Sequence, residues 1–204
     1  MRKEHYKHIN VEDKESVLKQ ALLHAEEYGK FYNELTMFVS MYEDRIQIRE
    51  EYFFKIFTPE EVMIKERGSK RYPYKMVAYY KNSTFIAITQ LSDPNEIYMT
   101  LREYDSEEYE YLVDDLDKLA ELFPIHRELV LQPEFLSIDA GTIQIYHPFF
   151  ETYPDVFDEY SFKKNFEFDG GDISWHAKLD GIQISFVESP EDTCLDPFKF
   201  ELTG

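Results

Sequence analysis

Nine of the residues from Glu103 to Glu121 are acids, and the only base among them is Lys118. The acids are Glu103, Asp105, Glu107, Glu108, Glu110, Asp114, Asp115, Asp117 and Glu121. Carboxylates this dense can move protons, hold a cation, or grip a cationic surface. Their phase decides among these. Tyr109, Leu112, Val113, Leu116, Leu119, Ala120 and Phe123 recur at helical spacing and form one apolar stripe. On that helix, Glu107, Glu108, Glu110, Asp114, Asp115, Asp117 and Glu121 fall on the opposite side. Acids then recur every one to two turns, roughly 5–10 Å apart. Phosphates along one strand of duplex DNA recur on a comparable scale. Such a face can enter a groove shaped for phosphates. The like-charged i,i+4 pair Glu110 and Asp114 costs a few tenths of a kcal/mol, so helix formation alone does not favour it. The plainer alternative is a solvated face.

A second acidic tract mixes Glu151, Asp155, Asp158 and Glu159 with Tyr153, Phe157 and Tyr160. Aromatic rings beside carboxylates suit arginine, which stacks and pairs at once. The expected partner-binding residues are therefore Glu107, Glu110, Asp114, Asp117, Glu121, Asp155, Asp158 and Glu159. Glu188, Glu191, Asp192 and Asp196 form a further acidic stretch around Pro190 and Pro197.

Other chemistries find little support. Residues 65–75 hold Lys65, Arg67, Lys70, Arg71 and Lys75 with Tyr72 and Tyr74, a mixture that can bind single strands. The overall charge of −19 opposes that use. An exposed hairpin loop, or a partner for acids of the same chain or of a second copy, explains the segment better. Six scattered histidines and one cysteine make no H-E-x-x-H motif and no Cys pair, so no metal is expected. Asp169-Gly170-Gly171-Asp172 lacks the spacing of a Ca²⁺ loop and reads as a turn. Seven glycines make no phosphate-binding loop, so no nucleotide cofactor is expected. Cys194 sits among Glu191, Asp192 and Asp196, which oppose a reactive thiolate. No catalytic residue is assigned, and an enzyme is not expected.

The acids are unevenly spread. Residues 1–90 carry 15 Lys+Arg against 14 Asp+Glu, and residues 91–204 carry 7 against 27, a net of −20. That surface repels nucleic acid and membranes and attracts basic proteins. A lone cysteine and the absence of an apolar leader or an ~18-residue apolar run predict a cytoplasmic chain.

The elements that must carry these groups read as two helices and a series of hairpins. One helix is expected over 11–28, ended by Gly29 at a C′ position. The second is expected over 106–122, stopped by Pro124. Period-2 alternation predicts hairpins pairing 35–42 with 45–57, 75–80 with 84–90, 135–138 with 142–146, and 173–178 with 182–187. Strands are also expected over 162–168 and 198–202. The fold class is α+β, with mostly antiparallel sheet and about two amphipathic helices.

The order of elements suggests tandem halves. Ile46-Gln47-Ile48 and Ile86-Ala87-Ile88 are echoed by Ile143-Gln144-Ile145 and Ile182-Gln183-Ile184, at offsets of 97 and 96, with the helices 94 apart. This predicts a near-neutral half over 1–92 and an acidic half over 96–204; one compact domain is the alternative. The expected role is non-enzymatic: an acidic protein that occupies a basic, nucleic-acid-binding protein, as inhibitors carried by mobile elements do. An immunity or antitoxin protein against a basic toxin would need the same surface. A structural protein that forms a homo-oligomer through Tyr/Phe-rich strands is the other reading.

Overall fold

The computed structural model describes residues 14–102, 110–132, 135–146, 161–167, 171–179 and 181–188. Four helices and ten strands run in the order α1 (Lys14–Glu34), β1 (Phe38–Met41), β2 (Ile46–Ile48), α2 (Glu50–Ile56), β3 (Val62–Glu66), β4 (Tyr74–Tyr80), β5 (Ser83–Thr89), α3 (Pro94–Arg102), α4 (Glu110–Val130), β6 (Phe135–Asp139), β7 (Thr142–Ile145), β8 (Lys163–Glu167), β9 (Ile173–Leu179) and β10 (Ile182–Glu188). The fold is α+β, with two five-stranded, mostly antiparallel sheets.

The two sheets share one topology. The first has the order β1-β2-β5-β4-β3 and the second β6-β7-β10-β9-β8. In each, the second strand pairs parallel with the fifth, and the other pairings are antiparallel. The likeness reaches single residues. Phe38 faces Ile48 and Ser40 faces Gln47, with the register broken between them; Phe135 faces Ile145 and Ser137 faces Gln144, broken at the same place. One extra residue, Val39 or Leu136, makes the same bulge in both. The two long helices, α1 and α4, have 21 residues each.

One of the sequence echoes is displaced. Ile46 pairs with Phe85, whereas its counterpart Ile143 pairs with Ile184. The last strands therefore correspond at an offset of 99, not 96. A three-residue error changes the sheet face. Phe85 and Ala87 are fully buried, as are Ile184 and Phe186, while Ile86 and Ile88 point to the other side.

The chain forms two compact units. One is Lys30–Glu128, and the other joins the described residues up to Gly29 with those from Leu129 onward. Most of α1 therefore belongs with the second sheet, and most of α4 with the first. In the first unit, Tyr80 on β4 reaches Asp117 on α4. In the second, the Gly141 N–H in the β6–β7 turn donates to the Ala25 carbonyl of α1 at 3.0 Å. Val17, Leu18, Ala21, Ala25 and Tyr28 are buried on α1, in the same unit as Ile138, Ile143, Ile145, Ile184 and Phe186.

Several local expectations are corrected. Gly29 does not end α1, which runs on to Glu34. A Cβ at Gly29 would lie 3.3 Å from the Gly141 nitrogen. Glycine is there for close approach, not for a left-handed cap. Pro124 does not stop α4 but sits inside it. Its missing N–H forfeits one backbone bond, while the turns on either side bury Leu119, Ala120, Leu122, Phe123, His126 and Leu129. Residues 45–57 are not one strand. Only Ile46–Ile48 pairs as a strand, and α2 follows, with Glu50 and Glu51 in its first turn and Lys55 in its last, as the helix dipole favours. Phe53 and Phe57 meet at 4.7 Å between ring centroids, and Phe57 reaches Phe85. The expected linker at Ser92-Asp93-Pro94-Asn95 opens α3, with the Asp93 side chain accepting from the Asn95 N–H and Pro94 at the first helical position. The expected strand over 198–202 lies outside the described residues.

Candidate interaction surface

Helix α4 buries close to half its circumference. Leu112, Leu116, Leu119, Ala120, Leu122, Phe123, His126 and Leu129 are inside. Val113, expected in the stripe, is 43% exposed, and Tyr111 is 59% exposed. Asp114, Asp117 and Glu121 lie on the remaining arc, as the phase required, whereas Asp115 falls among buried Leu112, Leu119 and Leu122 and is only half-exposed. Asp114 and Glu121 are exposed there. They are seven residues apart, about 10 Å along the axis.

Asp117 is not a bare carboxylate. Its Oδ1 accepts a hydrogen bond from the Tyr80 hydroxyl at 2.7 Å and an ion pair from Lys81 Nζ at 2.6 Å. Both donors lie at the β4–β5 turn, where Lys81 takes a left-handed backbone (φ 50°). Two directional donors hold the Asp117 carboxyl below the usual range, Lys81 first and Tyr80 second. In return, the anion beside it pushes the Tyr80 phenol up to about 12. Asp115 pairs with Lys118 at 2.7 Å, which raises the Lys118 ammonium. Two acids of this helix are thus partly neutralised from within their own unit.

Among the eight expected contact residues, the structure places Asp114, Asp117 and Glu121 on one face of α4. Glu110 begins the helix, and its side chain is outside the description. Glu107, Asp155, Asp158 and Glu159 lie outside the described residues. Sequence reasoning missed the Asp117–Tyr80–Lys81 cluster. Lys81 and Asp117 stand 36 positions apart, and only the packing of α4 in the same unit as the first sheet joins them. Lys81-Asn82, as a turn between two strands, was the available signal.

Among the described residues no group of three or more His, Cys, Asp or Glu side chains could hold a metal ion. No helix among them is long and apolar enough to cross a membrane. A shallow hollow of about 430 Å³ is lined by Tyr32, Phe38, Val39, Arg49 and Glu51, with no serine, cysteine or histidine in its wall. Comparison with protein-family models, with curated proteins and with solved structures found no match.

Proposed function

We propose that this protein is a non-enzymatic acidic binder that occupies a basic, nucleic-acid-binding protein in the cytoplasm. The observation that carries this reading is the net charge of −20 over residues 91–204, with Asp114 and Glu121 displayed on a rigid helix. A helix whose apolar side is buried cannot turn its acids away, so its charges are preorganised. Preorganised charge speeds capture and excludes acidic competitors. Glu107, Glu110, Asp155, Asp158 and Glu159 extend the proposed contact set. Asp117 belongs to it as a carboxylate held in place by Tyr80 and Lys81. An inhibitor of a defence nuclease and an immunity protein for a basic toxin use this surface alike.

The test avoids Asp117, because its reversal would break contacts within the fold. Asp114→Lys with Glu121→Lys keeps those contacts. Against a set of basic nucleases, the native chain is expected to inhibit DNA cleavage and to lose its grip as salt rises from ~50 to ~500 mM. The double variant is expected to bind at least ~10-fold more weakly with unchanged circular dichroism. Inhibition that is insensitive to both changes, or absent at low salt, overturns the proposal. Exposed Tyr32, Tyr79 and Met63 favour an assembly role as the second reading. An aromatic interface of that kind would hold at high salt.

A further inference from the structure

The β3–β4 hairpin is cationic in a chain with a large excess of acid. Lys65, Arg67, Lys70 and Arg71 are exposed, and Lys75 is half-buried. Among the described residues none of these five makes an ion pair, although the chain has 41 acids. Lys65 and Lys75 face each other directly across the strands. Like charges in that position destabilise a sheet. Glu66, the one acid nearby, pairs with Tyr74 and points to the opposite face. The loop beyond is held by the Arg67 N–H on the Pro73 carbonyl at 2.7 Å and by the Tyr72 N–H on Ser69 Oγ. Its cations are carried on a closed, ordered turn. β3 is also the outermost strand of its sheet, with no further strand beside it among the described residues. A single lysine would be enough to guard an open edge; five unpaired cations exceed that need.

We propose that this hairpin docks on the acidic surface of a second copy of the chain, so that the protein pairs with itself through charge. The occupant follows from complementarity. Residues 91–204 hold 27 acids and 7 bases, so most of those acids have no base of their own segment to meet. Each copy offers both surfaces, and a two-fold pair makes the contact twice. The net charge of −19 does not forbid it. At physiological salt, fields fade over ~8 Å, and opposed groups at contact outweigh distant repulsion. A nucleic-acid strand fits less well. Stacking needs open rings, but Arg71 covers Tyr72 at 5.3 Å, and Tyr74 lies on the face of buried Met76 and Ala78. This inference does not rest on the inhibitor reading, and its test uses the chain alone.

Sedimentation equilibrium at ~50 and ~500 mM salt is the measurement. The expected result is a dimer at low salt whose dissociation constant weakens at least ~10-fold at high salt. Lys65→Glu with Arg71→Glu and Lys75→Glu is expected to be monomeric at both. Lys65→Gln with Lys75→Gln, a milder change that also relieves the like-charged pair, is expected to weaken the dimer with unchanged circular dichroism. A chain that stays monomeric at low salt overturns the proposal. A dimer that survives the triple reversal also overturns it, as does a monomer that binds a labelled single strand through this hairpin.

Discussion

His126 shows at the residue scale how burial turns a common side chain into a pH-dependent one. It is 1% exposed on the inner side of α4, and burial pushes its imidazole down from 6.5 to about 4. The folded chain thus holds it neutral where the unfolded chain would protonate it. With the folded value depressed, the neutral form's contribution is complete above pH 6.5 and is lost as pH falls toward 4. Urea denaturation is expected to show about 2–3 kcal/mol less stability at pH 4 than at pH 7 from this residue. His126→Leu is expected to flatten that part of the profile. A variant with the native slope would locate the sensitivity elsewhere. Asp117 teaches the complementary lesson. The sequence marks it as an exposed acid, but two neighbours from a turn distant in the chain take up its charge.

Glycine and proline were read as punctuation at the element scale, and both sit inside helices. Gly29 looked like a stop because sequence shows an apolar stripe ending beside it. The packing of α1 on the β6–β7 turn instead requires the absence of a side chain. Ala has the better helix propensity, by roughly 1 kcal/mol. Gly29→Ala is nonetheless expected to lower stability by about 1 kcal/mol, because the colliding atom is backbone pinned by its bond to Ala25. Denaturant midpoints measure this, and a rise in stability would show that the turn can yield. The hairpins were legible because alternation and turn residues such as Asp180-Gly181 are local signals. α2 and α3 were not, since each is short and defined mainly by what covers it.

Sheet and helix obey different boundaries at the scale of the whole molecule. The strands divide between residues 38–89 and 135–188, as tandem halves would. By contact, Lys30–Glu128 forms one compact unit and the other described residues form the second. These bounds make opposite predictions for fragments. A chain of residues 30–128 retains α4 and is expected to unfold cooperatively in urea. A chain of residues 1–92 retains the same sheet but lacks α4, and is expected to lose near-ultraviolet dichroism. Cooperative folding of 1–92 would favour a division near residue 92.

Composition and periodicity by themselves determined the α+β class, most strands, the two long helices, the duplicated order and the asymmetry of charge. All of these are set within a few residues or summed over many. Tertiary structure alone decided which long helix shares a unit with which sheet, why Gly29 has no side chain, which register aligns the halves, and that Asp117 is met by a turn distant in the chain. These depend on atoms brought together from distant parts of the chain, and hydrophobic spacing says which face is buried without saying against what.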